Sequence, residues 1–153
     1  MTRVSASAVD SAWQAALAAE HQAVFGYGVL GPHLTGTDQR LAVACSDAHE
    51  SLRDSTVSAM AGAGLRPVPS QADYPALYPV AAAAAARSLA IRLEDDAAAA
   101  WRYLYLQAAS THGNHARALR GLAQKALTAS AVRATQWQAI VSPAHATTPF
   151  PGI

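Results

Sequence analysis

The sequence predicts an all-α protein: a four-helix bundle made of two antiparallel helix hairpins joined by a long Pro-rich crossover. Three observations carry that expectation. About a quarter of the 153 residues are alanine, the strongest helix former, while Val, Ile and Phe are scarce. Apolar residues recur at helical spacing in four segments, separated by Gly- and Pro-rich breaks. One pattern, Glu-x-x-Ala-x-x-x-aromatic, occurs twice: Glu20, Ala23, Tyr27 and Glu94, Ala97, Trp101.

The first helix is expected from about Val9 or Asp10, with Ser7 or Asp10 as cap and a stripe of Trp13, Leu17, Glu20, Val24 and Tyr27, ending by Gly31-Pro32. Asp38 is the expected cap of the second, whose stripe is Leu41, Cys45, His49, Leu52, Thr56 and Ala59, running out at Gly62-x-Gly64. From about residue 65 to 79, Pro67, Pro69, Pro75 and Pro79 forbid regular helix, because each removes a donor and clashes with the preceding turn. The third helix is expected from Pro79 or Val80, with stripe Ala90, Glu94, Ala97, Trp101, Leu104 and Ala108, ending between Thr111 and Asn114. The fourth runs from about His115 to Val141 through Leu119, Leu122, Ala126 and Trp137 until Ser142-Pro143 stops it. Residues 1–142 thus read as the bundle, and 143–153 as an extended or disordered tail.

Short joints make helices one and two antiparallel neighbours, and likewise three and four. The crossover is long enough to run the length of the bundle and let the third helix start at the opposite end. Two hairpins joined in this way form the ferritin-like arrangement, in which helices one and three are equivalent partners, as the repeated pattern suggests.

Charge excludes several functions. The formal net charge is +1 with a sequence pI near 8.0, and the ten arginines and one lysine are scattered, so nothing points to nucleic acid. The N-terminus lacks a signal-peptide apolar core, and no stretch approaches the roughly 18 apolar residues of a membrane span; Ala81–Ala86 is only weakly apolar and Arg87 and Arg92 follow. A cytoplasmic protein without membrane attachment is expected. Cys45 stands alone, on an apolar face, and reads as a small buried hydrophobe. No phosphate loop, nucleophile elbow or Ser-His-Asp arrangement is present.

The chemistry rests on the two glutamates. Offsets of 0, +3 and +7 lie on one helix face, so Glu20 and Glu94 sit on stripes meant for burial, and a buried carboxylate is costly unless paired, hydrogen-bonded or metal-bound. A ferritin-like di-iron site takes one Glu from each of two helices and a Glu-x-x-His pair from each of the others. Glu20 and Glu94 match the single-Glu helices. The second helix has His49 and Glu50, but Ser46 stands three before His49, and from Ala116 to Ala144 there is no Asp, Glu or His. Two close cations, iron or manganese, would be under-neutralised by that set. A mononuclear site on Glu20, His49 and Glu94 remains chemically open, since two carboxylates and an imidazole resemble a facial triad. Arginine offers the other solution, a fixed charge on a forked donor that matches a carboxylate. Arg53, one turn after His49, and Arg133, near the inner face of the fourth helix, are the candidates to pair with Glu20 and Glu94, with His49 joining them.

The stretches AAEHQAVFGYGVLG, His49 with Arg53-Asp54, YPALYPV, LEDDAAAAW and LTASAVRATQW together resemble an uncharacterised ferritin-like family, a domain of unknown function found in small proteins of high-GC bacteria. The resemblance spans about residues 10 to 141. It implies the bundle and carries little chemistry. No cofactor is expected. Three functional classes follow: a non-enzymatic binding or interaction module that forms a homodimer, a binder of a small molecule in the polar core, and a metal-dependent redox protein. His21 reads as an interhelix or surface residue, His112 and His115 as helix-start residues, and Asp95 and Asp96 as a solvated face. Tyr27, Trp101, Tyr103 and Tyr105 read as core or intersubunit packing.

Overall fold

A computed structural model describes residues 7–147. Four long helices pack together: α1 (Ala8–Leu30), α2 (Gly36–Gly62), α3 (Ala83–Ala109) and α4 (Asn114–Val141). Short 3-10 turns lie at Gly31–His33, Pro75–Leu77 and Pro143–His145. The described residues contain no strand.

Two apolar clusters set the direction of every helix. In the first, Val9 and Trp13 from the start of α1 meet Met60 from the end of α2, Trp101, Leu104 and Ala108 from the end of α3, and Leu119 and Ala123 from the start of α4. The second joins Tyr27 and Leu30, Ala42 and Cys45, Leu89 and Leu93, and Trp137, which belong to the opposite ends of the same four helices. Hence α1 and α4 run one way and α2 and α3 the other. The crossover from Ala63 to Ala82 spans the distance between the ends: Leu65 and Val68 pack on the first cluster, Tyr74 and Leu77 in the second. Its Tyr78-Pro79 peptide is cis. Polar bonds fasten its first half to α1. Gln14 donates to the Arg66 carbonyl and accepts from the Val68 amide, both at 2.8 Å, and His21 Nε2 lies 2.9 Å from the Val68 carbonyl. His21, expected between helices or at the surface, is half-buried, and its partner is the crossover rather than another helix.

Local chemistry explains most boundaries. Ser7 and Asp10 form a capping box at α1, where the Ser7 hydroxyl accepts the Asp10 amide at 3.0 Å and the Asp10 carboxylate accepts the Ser7 amide at 3.3 Å. Asp38 does not cap α2. The helix begins two residues earlier, at Gly36 (φ 59°), behind Thr35, and Asp38 in its first turn instead pairs with Arg87 of α3 at 2.7 Å. The third helix starts at Ala83, three or four residues later than expected, because a polyalanine run carries no capping side chain to mark its start. Gly113 (φ 108°) turns the chain into α4. Pro143–His145, at the start of the segment expected to be extended or disordered, forms a 3-10 turn; residues 148–153 lie outside the described residues.

At Gly26, α1 comes close to the Leu93 side chain of α3. A methyl group built on Gly26 would come within 2.5 Å of the Leu93 side chain, so glycine lets the two backbones approach. By contrast α2 is loosely embedded: its buried residues are Ala42, Cys45, His49, Thr56 and Met60. On α3, Leu89, Leu93, Trp101 and Leu104 are buried along with six other residues. Burying a large side chain of that kind contributes roughly 1.5–3 kcal/mol, so α2 depends more than its neighbours on what His49 does.

Candidate functional site: a buried polar layer

Between the two apolar clusters lies a layer of polar side chains drawn from all four helices. Glu20, His49 and Glu94 have no exposed surface at all. The imidazole of His49 stands between the acids, with Nδ1 2.6 Å from Glu20 Oε2 and Nε2 3.1 Å from Glu94 Oε1. An ionised carboxylate only accepts, so both ring nitrogens carry hydrogen and His49 is an imidazolium. Burial alone would pull its pKa down. The hydrogen bonds and charges of Glu20 and Glu94 outweigh that, and the pKa is pushed up to about 9.

Arg133 completes the charge balance. Its Nε donates to Glu94 at 3.1 Å (Oε1) and 3.0 Å (Oε2), and its Nη2 reaches Ser130 Oγ at 3.1 Å. The Arg133 side chain is 14 % exposed, so the layer meets solvent there on the α4 side. Burial pushes the Glu94 carboxyl upward, but the His49 and Arg133 charges and the Tyr27 hydroxyl more than offset it, and its pKa is lowered. Two carboxylates, one imidazolium and one guanidinium sum to zero.

The aromatic residues of the repeated pattern are donors, a role that helical periodicity alone does not assign them. Tyr27 of α1 donates its hydroxyl to Glu94 of α3 at 2.6 Å, and Trp101 of α3 donates Nε1 to Glu20 of α1 at 2.7 Å. Because the helices run antiparallel, the aromatic seven residues past each acid lands beside the other acid. Trp137 of α4 then donates Nε1 to the Tyr27 oxygen at 3.0 Å, and the Tyr27 ring stacks on His49 with centroids 5.7 Å apart. Burial, then the charge of Glu94, pushes the Tyr27 phenol far above its ordinary range, so it stays a donor. Cys45, one turn before His49, is pushed up to about 11 by burial and by Glu94, and stays a thiol.

The five candidate residues therefore divide. Glu20, His49, Glu94 and Arg133 come together. Arg53 does not join them: its Nε bonds Asp54 at 2.9 Å and it is 26 % exposed. The physical reason is economy, since one imidazole already bridges both acids and a guanidinium entering beside it would be desolvated without gaining a free carboxylate. His112 and His115 are exposed at the start of α4, with His115 set edge-on to Trp13. Asp95 is held above the usual carboxylate range by partial burial, then by Asp96 and Glu94.

The donor set falls short of a two-metal centre: Glu20, His49 and Glu94 are turned on one another, with both ring nitrogens of His49 against carboxylate oxygens. The fourth helix offers no Asp, Glu or His between Ala116 and Val141. Among the described residues, no group of three or more His, Cys, Asp or Glu side chains is placed to hold a metal ion. No helix among them is long and apolar enough to cross a membrane.

Comparison with known proteins gives a family without a chemistry. Residues 12–153 match the sequence profile of a domain of unknown function, DUF4439. Among solved structures, the chain is similar to the crystal structure of a conserved hypothetical protein, Rv2844, from Mycobacterium tuberculosis. The two share 31 % identity with a TM-score of 0.77, over 87 % of this chain and 96 % of that one. No curated protein matches the chain.

Proposed function

The chain belongs to the DUF4439 family, a domain of unknown function, and we propose that it is a ferritin-like bundle with a degenerate di-metal site, acting as a non-enzymatic binding or interaction module. One observation carries this reading: a single imidazolium bonded to Glu20 and Glu94 through its two nitrogens, with all three side chains fully buried. His49 and Arg133 supply the positive charge that a ferritin-like centre takes from its cations, and they do so with hydrogens rather than lone pairs. The up-down-down-up order of helices around a long crossover supports the ferritin-like assignment.

A layer closed in this way has a structural role, and binding then belongs to the outer faces. Tyr103 and Leu106 on the outside of α3 are 48 % and 44 % exposed, and a homodimer through that face is part of the proposal. A cytoplasmic location is also part of the proposal.

Metal analysis of protein purified without chelator tests the core of the reading. Iron and manganese far below one ion per chain are expected, before and after incubation with Fe(II) or Mn(II) under reducing conditions. Near-stoichiometric metal lost on Glu20→Ala would overturn it in favour of a mononuclear centre on Glu20, His49 and Glu94. Light scattering tests the interface: a dimer that Leu106→Asp dissociates is expected, and a monomer at all concentrations would refute it.

A further inference from the structure

We infer that the cleft between the second half of the crossover and the first half of α3 binds a small carboxylate with an aromatic or branched apolar body, and that Arg92 holds its charge. The cleft has a volume of about 320 Å3, near the lower end of small-molecule pockets. Tyr78, Pro79 and Val80 line it from the crossover, and Ser88, Leu89 and Arg92 from α3. It shares no residue with the buried polar layer, so the two sites stand or fall separately.

Two observations point to an anion with an apolar body. The first is the way Arg92 is turned. Asp95 and Asp96 follow it at the three- and four-residue offsets where helical ion pairs form. Arg92 pairs with neither, and among the described residues no carboxylate lies within ion-pair distance of it. Its Nη2 donates instead to the Ala76 carbonyl of the crossover at 2.9 Å. The other arginine in this half of α3, Arg87, has its acid in Asp38 at 2.7 Å. Arg92 is thus a tethered guanidinium lining a cleft, whose Nε and Nη1 make no hydrogen bond among the described residues. A fork of that kind matches a carboxylate.

The second observation is the wall opposite. Tyr78 is 49 % exposed on a backbone that is held: Leu77 is buried in the second apolar cluster, and the Tyr78 amide donates to the Pro75 carbonyl at 3.2 Å. Pro75 and Pro79 restrict the chain further, so little freedom remains to be lost when a ligand is bound. The ring of Tyr78, with Pro79, Val80 and Leu89, offers an apolar surface to the body of the ligand. The Ser88 hydroxyl, one turn before Arg92, adds a donor. A phosphate group would bring nearly twice the charge of a carboxylate into a cleft with no second cationic side chain in its walls, so one carboxylate is the better match.

Titrations of the full chain, read by backbone amide signals and by calorimetry, test this with defined probes. Phenylpropanoate and isovalerate are expected to shift the amide signals of Tyr78, Ser88 and Leu89. Phenylpropanamide, with the same body and no charge, is expected to bind at least about tenfold more weakly than phenylpropanoate. Arg92→Gln should weaken phenylpropanoate by a similar factor, and Arg92→Lys, which keeps the charge and loses the fork, by less. Arg102→Gln, elsewhere on α3, should leave the affinity unchanged. Tyr78→Ala should weaken both probes and keep the preference for carboxylate over amide. Arg92 is exposed, so its variants are expected to fold, and unchanged amide signals away from the cleft verify that. Absence of shifts at the cleft with up to about 10 mM of either carboxylate would overturn the inference, and so would equal binding by the amide or by Arg92→Gln.

Discussion

The two hairpins solve the same electrostatic problem with different cations. Each contributes one buried acid from its first helix, Glu20 on α1 and Glu94 on α3, at the same place in a repeated pattern. The second helix of each then supplies the positive charge: His49 on α2, Arg133 on α4. Histidine's charge depends on pH, whereas arginine's does not. Glu94 has both cations and the Tyr27 hydroxyl, while Glu20 has His49 and the Trp101 indole. The difference teaches that α3–α4 is neutralised within its own hairpin, and that α2 is held by a proton. Since α2 buries few large apolar side chains, this proton is a substantial part of what fixes it.

That asymmetry makes Glu94→Ala the most damaging single change. It strands Arg133 and deprives His49 and Tyr27 of a partner, and a loss of about 5 kcal/mol is expected in denaturant unfolding. Glu20→Ala leaves His49 with Glu94 still in place and should cost about 3 kcal/mol. Equal losses in the two variants would erase the distinction between the hairpins.

The proton itself can be titrated. The folded pKa of His49 is raised to about 9 from an ordinary value near 6.5, so its stabilisation is complete below about pH 6.5 and is lost as pH rises through 9. The full loss is about 3 kcal/mol, because each tenfold gain in proton affinity on folding is worth about 1.4 kcal/mol. Glu94, whose pKa is lowered, acts in the other direction: its contribution is present above about pH 4.5 and disappears as pH falls through the folded value. Greatest stability is expected between these limits, and chemical denaturation from pH 4 to 10 checks it. In His49→Gln the alkaline decline should vanish; if it persists, the charge on α2 lies elsewhere.

Smaller effects sharpen the comparison. Tyr27→Phe removes one donor from Glu94 and leaves the Trp137 indole without its acceptor, for a loss of about 2 kcal/mol measured by the same unfolding curves. Arg53→Ala should fall within about 0.5 kcal/mol of the parent, because its partner Asp54 is exposed. A loss near that of Glu20→Ala would place Arg53 in the buried layer after all.

Much of this layer is legible in the sequence, for a physical reason. A carboxylate on an apolar stripe demands a partner, so Glu20 and Glu94 mark themselves, and His49 and Arg133 are cations on facing stripes. Tyr27 and Trp101 stand in the same pattern yet read as packing. Their role depends on the vertical register of α1 against α3, which periodicity within one helix does not contain. Arg53 misleads for a related reason: helical phase places it near His49, but only three-dimensional space shows that the imidazole has used both acids. The start of α2 is hidden because Asp38 has the chemistry of a cap, while its partner Arg87 lies on another helix.

The crossed aromatic donors carry one last consequence. Each acid receives its indole or phenol from the opposite half of the chain, so a hairpin made alone would bury a carboxylate with an empty seat beside it. Neither half is a finished object, and an ancestor built by duplicating one hairpin would have had to pair with its twin before it could fold. Fragments divided at the crossover should accordingly stay unstructured apart and gain structure on mixing, each acting as the missing interior of the other.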